Sequence, residues 1–190
     1  AKVPMLRGRV MALNGVDVDK VKVPAEGAWV LKGDRGLTYD ARQPENATLT
    51  EGTWWPDNYA GEPLVSFGAE QAEGLGLKLG DTVSVNVLGR PVTARIANLR
   101  RIDWQSLGIN FVMVFSPATF RGAPHTDLAT LTLPGGDSAA GDAAIVRAVA
   151  ERYPAISTVR VKDTLEAVGV LVGQLALALR AASGLAILAS

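Results

Sequence analysis

The sequence predicts an α+β fold that closes with one long helix. Three observations carry that expectation. Val83, Val85 and Val87 alternate strictly with polar neighbours and run into a Gly89-Arg90 turn, the signature of a half-buried strand entering a hairpin. Ala69, Ala72 and Leu75, and again Ile145, Val149 and Tyr153, recur at the spacing that lines one face of a helix. Residues 167–190 contain only Gln174 and Arg180 as strongly polar side chains, so that stretch is apolar on every helical face.

The elements follow in order. Met5 to Asn14 reads as a strand, because Leu6, Gly8, Val10 and Ala12 alternate against Arg7, Arg9 and Met11; Asn14-Gly15 then signals a turn. Val16 to Val23 alternates valine and charge until Pro24 ends it. Trp29-Val30-Leu31 and Leu37-Thr38-Tyr39 are short apolar runs split by Lys32 to Gly36, and Gln43 to Asn46 is a loop. Pro63 to Phe67 is a strand, Gly68 to Leu75 a short helix, Gly76 to Asp81 a turn, and Thr82 to Leu88 and Val92 to Leu99 the two arms of a hairpin. Asn110 to Phe115 is nearly all apolar and reads as a strand buried on both faces. Leu128 to Leu133 alternates Leu and Thr. Ala139 to Tyr153 is a helix stopped by Pro154, and Ser157 to Val161 a short strand.

Composition narrows the function classes. Of 190 residues, 48% are hydrophobic and 20% charged, which suits a packed core rather than disorder. Lys+Arg and Asp+Glu both number 19, and zero net charge argues against general nucleic-acid binding, where a basic excess neutralises phosphates. With no cysteine, disulfides, thiolate metal sites and cysteine nucleophiles are excluded within these residues. The first seven residues, Ala-Lys-Val-Pro-Met-Leu-Arg, form no signal peptide, and the chain reads as a segment of a longer one. Asn46-Ala47-Thr48 fits the glycosylation pattern, which three residues match easily by chance.

The terminal helix starts at a capping box, with Asp163 as N-cap and Glu166 three residues on. Its all-round apolar character leaves two readings, a helix buried in a core and a membrane span. Arg180 would be costly at a bilayer centre but could reach the headgroups if placed near an interface.

Catalytic groups are scarce. His125 is the single histidine, in the loop Gly122 to Asp127. With Asp127 it could form a base and its orienter, but no Gly-x-Ser-x-Gly elbow supplies a nucleophile, and His125 reads first as a loop residue capping backbone groups. A lone histidine lacks metal-ligand spacing, and no cofactor is expected. Gly74 to Asp81 is glycine-rich but lacks the Gly-Lys-Ser/Thr ending of a phosphate loop and precedes a strand rather than a helix. Trp54 and Trp55 read as buried packing ahead of an exposed recognition patch.

Several blocks carry a resemblance. Gly52-Thr53-Trp54-Trp55, then Pro63 to Phe67, then Ala72-Glu73-Gly74-Leu75-Gly76-Leu77-Lys78-Leu79-Gly80-Asp81-Thr82-Val83, resemble the periplasmic domain of MacB/FtsX-type ABC transporter permeases. Pro4-Met5-Leu6-Arg7-Gly8-Arg9, Phe111-Val112-Met113-Val114-Phe115-Ser116-Pro117 and Gly122-Ala123-Pro124-His125-Thr126, in that order, are similar to the YbbP-like branch. The resemblance covers nearly the whole chain from Pro4. The family usually carries a further strand and helix ahead of the first block, which implies that the first membrane helix lies outside these residues.

The resemblance implies a mixed βαβ-type subdomain and a smaller β-rich one at roughly 15–107, together making a periplasmic domain over 1–162. It implies a stalk helix over 163–190 entering the inner membrane, marked by Asp163, Glu166, Gln174 and Arg180. The function it implies is mechanical: motion from a cytoplasmic ABC ATPase subunit drives export or extraction of an envelope substrate. A lipid or hydrophobic cargo is implied by the association of YbbP-like permeases with a lysophospholipase/thioesterase. Further partners would be the membrane and a second permease copy or a periplasmic protein, meeting an interaction loop at Trp54, Trp55 and His125. The chain itself would be no enzyme. Two other classes remain: a soluble periplasmic substrate-binding or interaction module whose last helix packs in its own core, and, less favoured, a hydrolase using His125 and Asp127. An apolar continuation beyond Ser190 would separate the first of these from the permease.

Overall fold

The computed structural model describes residues 2–21, 23–106, 108–131 and 139–159. The fold is mixed α and β and dominated by its sheet, as expected in outline. It divides into two compact units, residues 1–131 and 132–190.

In the first unit β1 (Lys2–Leu13) leads through Asn14-Gly15 into β2 (Val16–Asp17). Both turn residues have positive φ, 49° and 76°, the geometry that matches strand twist in a two-residue hairpin. Past Asp17 the alternating valines do not extend a strand. Asp17 accepts a hydrogen bond from the Asp19 amide and starts a single 3₁₀ turn over Val18–Lys20. The run around Trp29 is a helix, α1 (Ala25–Leu31), begun by the Pro24 carbonyl, which accepts from the amides of Gly27 and Ala28. Then come β3 (Arg35–Tyr39), β4 (Ala47–Gly52), β5 (Leu64–Gly68), α2 (Ala69–Leu75), β6 (Thr82–Val87), β7 (Arg90–Ile102), β8 (Met113–Phe115) and β9 (Thr126–Ala129).

The strand pairings close on themselves. β1 pairs with β3, β3 with β8, β8 with β5, β5 with β7, β7 with β6, and β6 returns to β1. Six strands therefore form a barrel, which removes the exposed edges an open sheet would leave. Two of the contacts, β3 with β8 and β5 with β7, are parallel. β2 and β9 attach to β1, and β4 to the far end of β7. β1, β8 and β9 lie outside the 15–107 span, and all three pair within this one sheet.

One side chain in two along each strand points into the barrel. Leu6, Val10, Leu37, Val65, Phe67, Val83, Val85, Ile96, Met113 and Phe115 form one buried cluster, joined by Val30, Ala72, Leu75 and Leu77 from the helices and the turn. The strict alternation of β6 thus separates a barrel interior from its outside. α2 ends as its spacing predicts, with the Leu77 amide donating to the Ala72 carbonyl in a Schellman-type cap. In the following turn the Asp81 carboxylate accepts from the Lys78 amide at 2.8 Å, and Gly80 sits at φ +86°. Gly80→Val is expected to destabilise the unit by about 1 kcal/mol or more, because a β-branched residue resists the left-handed region. Open space surrounds the position, so a lowered melting temperature would report backbone strain alone.

The second unit contains α3 (Ala139–Arg152), where the sequence places a helix. Asp142 in its first turn and Arg152 in its last suit the helix dipole. Ser157 to Val159 form no strand, so the described part of the expected Ser157 to Val161 strand is absent. Asp163, Glu166, Gln174, Arg180 and the stalk they were read to mark lie outside the described residues. Among the described residues no helix is long and apolar enough to cross a membrane.

Candidate functional site

On its outer surface, the barrel carries a second, smaller cluster. Trp55, Leu64, Phe111 and Val114 are buried there, with Val3, Met5, Trp54, Tyr59 and Ala97 packed against them. The chain leaves β4 at Gly52 and folds back over this face. The two indole rings lie 4.3 Å apart between centroids. Trp54 donates its ring N–H to the Ala41 carbonyl at 2.7 Å, and Trp55 to the Asp40 carbonyl at 2.9 Å. An aromatic ring with a polar handle fits such a site well: the body is dry and the handle paired. Trp55 is buried, and Trp54 half-buried.

Beside these rings three polar side chains are buried on the same strands. Ser66 of β5 and Asn98 of β7 are in register, and Arg100 follows two residues on. Asn98 donates to the Thr53 carbonyl at 3.1 Å, tying β7 to the segment that carries the tryptophans. Arg100 is 1% exposed. Its guanidinium donates to the carbonyls of Phe111 and Val112, and Val112 also accepts from the Gly68 amide. Among the described residues no carboxylate pairs with it. Burial pushes its pKa down to about 10, so it stays charged at neutral pH. Sequence reasoning passed over Arg100, since arginine in a strand ordinarily marks a solvated position. The available signal was its place in the run from Ile96 to Ile102, between Leu99 and Arg101.

His125 stands in the loop before β9. Its Nδ1 is 2.9 Å from the Ala123 carbonyl, and its Nε2 is 3.8 Å from an Asp127 oxygen. The other Asp127 oxygen meets the Lys2 ammonium at 2.9 Å. The His125 ring packs edge-on against Tyr39 at 6.0 Å, and Tyr39 leans on Phe120. His125 and the tryptophan pair thus both rest on residues 39–41, at the end of β3 and just past it. The histidine faces two acceptors, and no serine or threonine hydroxyl hydrogen-bonds to it among the described residues. Those contacts tie a loop. The Asn46 amide is engaged as well, 2.5 Å from Asn110 Oδ1. Among the described residues no three His, Asp or Glu side chains gather where they could hold a metal ion.

No protein-family model matches the chain. Over 136 residues it is 31% identical to the protein described as "Uncharacterized ABC transporter permease YbbP" of Escherichia coli (strain K12). The aligned part takes in 70% of this chain and 16% of that protein, so the chain spans a small fraction of its relative. That likeness makes this chain a YbbP-like ABC transporter permease domain.

Proposed function

We propose that this chain is the extracytoplasmic domain of an inner-membrane permease, facing the periplasm, and that it passes ATP-driven motion to an envelope substrate. The observation that carries this reading is the likeness to an ABC transporter permease over most of the chain. ATP would be hydrolysed on a separate cytoplasmic subunit, and the chain itself would perform no chemical step. The loop contacts of His125 favour that reading, because both ring nitrogens face acceptors. Residues 163–190, from Asp163 and Glu166 past Gln174 to Arg180, would form the stalk that enters the membrane. The cargo class is a lipid or another hydrophobic envelope molecule, and a second permease copy or a periplasmic protein would meet the domain. A closed barrel suits a force-bearing part, since a closed ladder of hydrogen bonds has no edge at which to peel.

The test uses the whole permease with its ATPase. The 190 residues contain no cysteine, so an introduced one is unique among them, and any cysteine elsewhere in the permease is first replaced by serine. Glu51→Cys, on the exposed side of β4, should react with a membrane-impermeant maleimide in cells whose inner membrane is intact. With a second label at Arg147→Cys on α3, the distance distribution should change when ATP binds and stay fixed with a nucleotide-binding-defective ATPase. Labelling only after lysis would place the domain on the other side, and a distance indifferent to ATP would remove the mechanical role.

A further inference from the structure

The outer face of the barrel is covered near Trp55 and bare near the β6–β7 hairpin. Along β1 the outward residues change from Val3 and Met5, which are packed, to Arg7, Arg9 and Met11, which are exposed. Asn86 of β6 lies in register with Arg9. A depression of about 480 Å³ opens here, lined by Arg7, Arg9, Met11, Asn86, Leu88 and Asp34 among others.

The hairpin tip is unusual in two respects. Leu88 takes φ +51° in a turn position where Asn, Asp or Gly is the ordinary occupant. Its side chain is also the most exposed large hydrophobic in the barrel, at 64%. A strained conformation and an apolar surface thus coincide on one residue that packs against no core. Two guanidiniums, those of Arg7 and Arg9, thus line the depression together with this apolar tip, with Asp34 as the single acid in the lining. Among the described residues neither arginine makes an ion pair or a side-chain hydrogen bond.

We propose that this end of the barrel docks on an anionic phospholipid surface. Guanidinium groups match phosphate geometry and keep their charge at every relevant pH. Leu88 and Met11 would enter the boundary between headgroups and acyl chains, while Arg7 and Arg9 meet the phosphates. A protein partner is less well matched, because protein hot spots are typically aromatic anchors, and this face presents no aromatic side chain, only arginines beside an exposed leucine and methionine. The proposal stands independently of the transport role.

The test is sedimentation of the 190-residue chain with vesicles of phosphatidylcholine mixed with phosphatidylglycerol, against phosphatidylcholine alone. The apolar residues 167–190 could bind either kind, so the measured quantity is the ratio of the two partition coefficients. The ratio should favour the anionic vesicles and fall with added salt. The double variant Arg7→Gln/Arg9→Gln should lower it by roughly tenfold or more, at about fivefold for each cation near a charged surface. Leu88→Asn should weaken binding to the anionic vesicles without lowering the melting temperature, since asparagine tolerates that backbone conformation. Equal partition onto both vesicles, or variants that bind as the parent does, would overturn the proposal. So would a chain that ignores phosphatidylglycerol but is retained by polyglutamate, which would identify an acidic polypeptide instead.

Discussion

Arg100→Ala should lower the stability of the barrel by about 3 kcal/mol. Opposing effects must be weighed. Holding the guanidinium at 1% exposure has already cost its charged form something, as the fall of its pKa to about 10 records; at 1.36 kcal/mol for each pH unit that is on the order of 3 kcal/mol. Its bonds to the Phe111 and Val112 carbonyls return a similar amount, since hydrogen bonds to a charged group contribute about 1.5–3 kcal/mol each. Charge and bonds therefore roughly cancel, and the cavity left by alanine decides the outcome. Arg100→Met keeps most of the volume and should cost about 1 kcal/mol or less. Denaturant titration of both variants separates filling from charge: equal losses would mean that the bonds, not the volume, matter. The sign of the pH dependence follows. From about 10 up to the ordinary arginine range the unfolded chain binds the proton more tightly than the folded one, so this site's contribution to stability rises with pH there and is flat below about 10.

Gly52→Ala is expected to cost a comparable amount, about 2–5 kcal/mol. Gly52 ends β4 at φ +76°, where a side chain costs about 1–2 kcal/mol. A Cβ at this position would run into the Ala97 carbonyl and lie 2.9 Å from Asn98 Cα. Both are backbone atoms of the partner strand and cannot rotate away, so overpacking adds about 1–3 kcal/mol. Because Trp54 and Trp55 follow at once, tryptophan emission should shift toward the red as Trp55 gains water. An unchanged spectrum with an unchanged melting temperature would show that the turn has room to adapt.

Local signals made part of this fold readable. β6, its hairpin and α2 declare themselves because periodicity, turn residues and cap agree over a short span. β4 was not legible. It runs Ala-Thr-Leu-Thr-Glu-Gly at the end of the sheet, mostly exposed, so no apolar alternation marks it. α1 hid behind Pro24, which reads as the end of the preceding run although its carbonyl begins the helix. Barrel closure was invisible too, because parallel contacts such as β5 with β7 depend on partners far apart in sequence. At the candidate site the tryptophans and His125 stood out by residue type, while Arg100 needed the packing of residues 111–112 to acquire meaning. The Arg7, Arg9 and Met11 row was legible as the outer side of a strand, but only the hairpin brings Leu88 beside it.

The pairing of β1 constrains the order in which the unit can assemble on a ribosome. The first strand made is the one with the most distant partners: Lys2 to Met5 pair with Thr126 to Ala129, and Gly8 to Leu13 with β6. The groups of Lys2 to Met5 must wait, solvated, until nearly the whole unit has emerged, whereas Leu6 to Gly8 and Ala12 to Leu13 can meet β3 and β2 early. The β6–β7 hairpin, joined by a two-residue turn, needs only microseconds once its residues are free. Vectorial synthesis therefore favours a nucleus in the middle of the chain, onto which the oldest strand is stitched last. Such long-range closure is slow compared with helix or hairpin formation. During that interval the amphipathic first strand is the segment most in need of protection from other nascent chains.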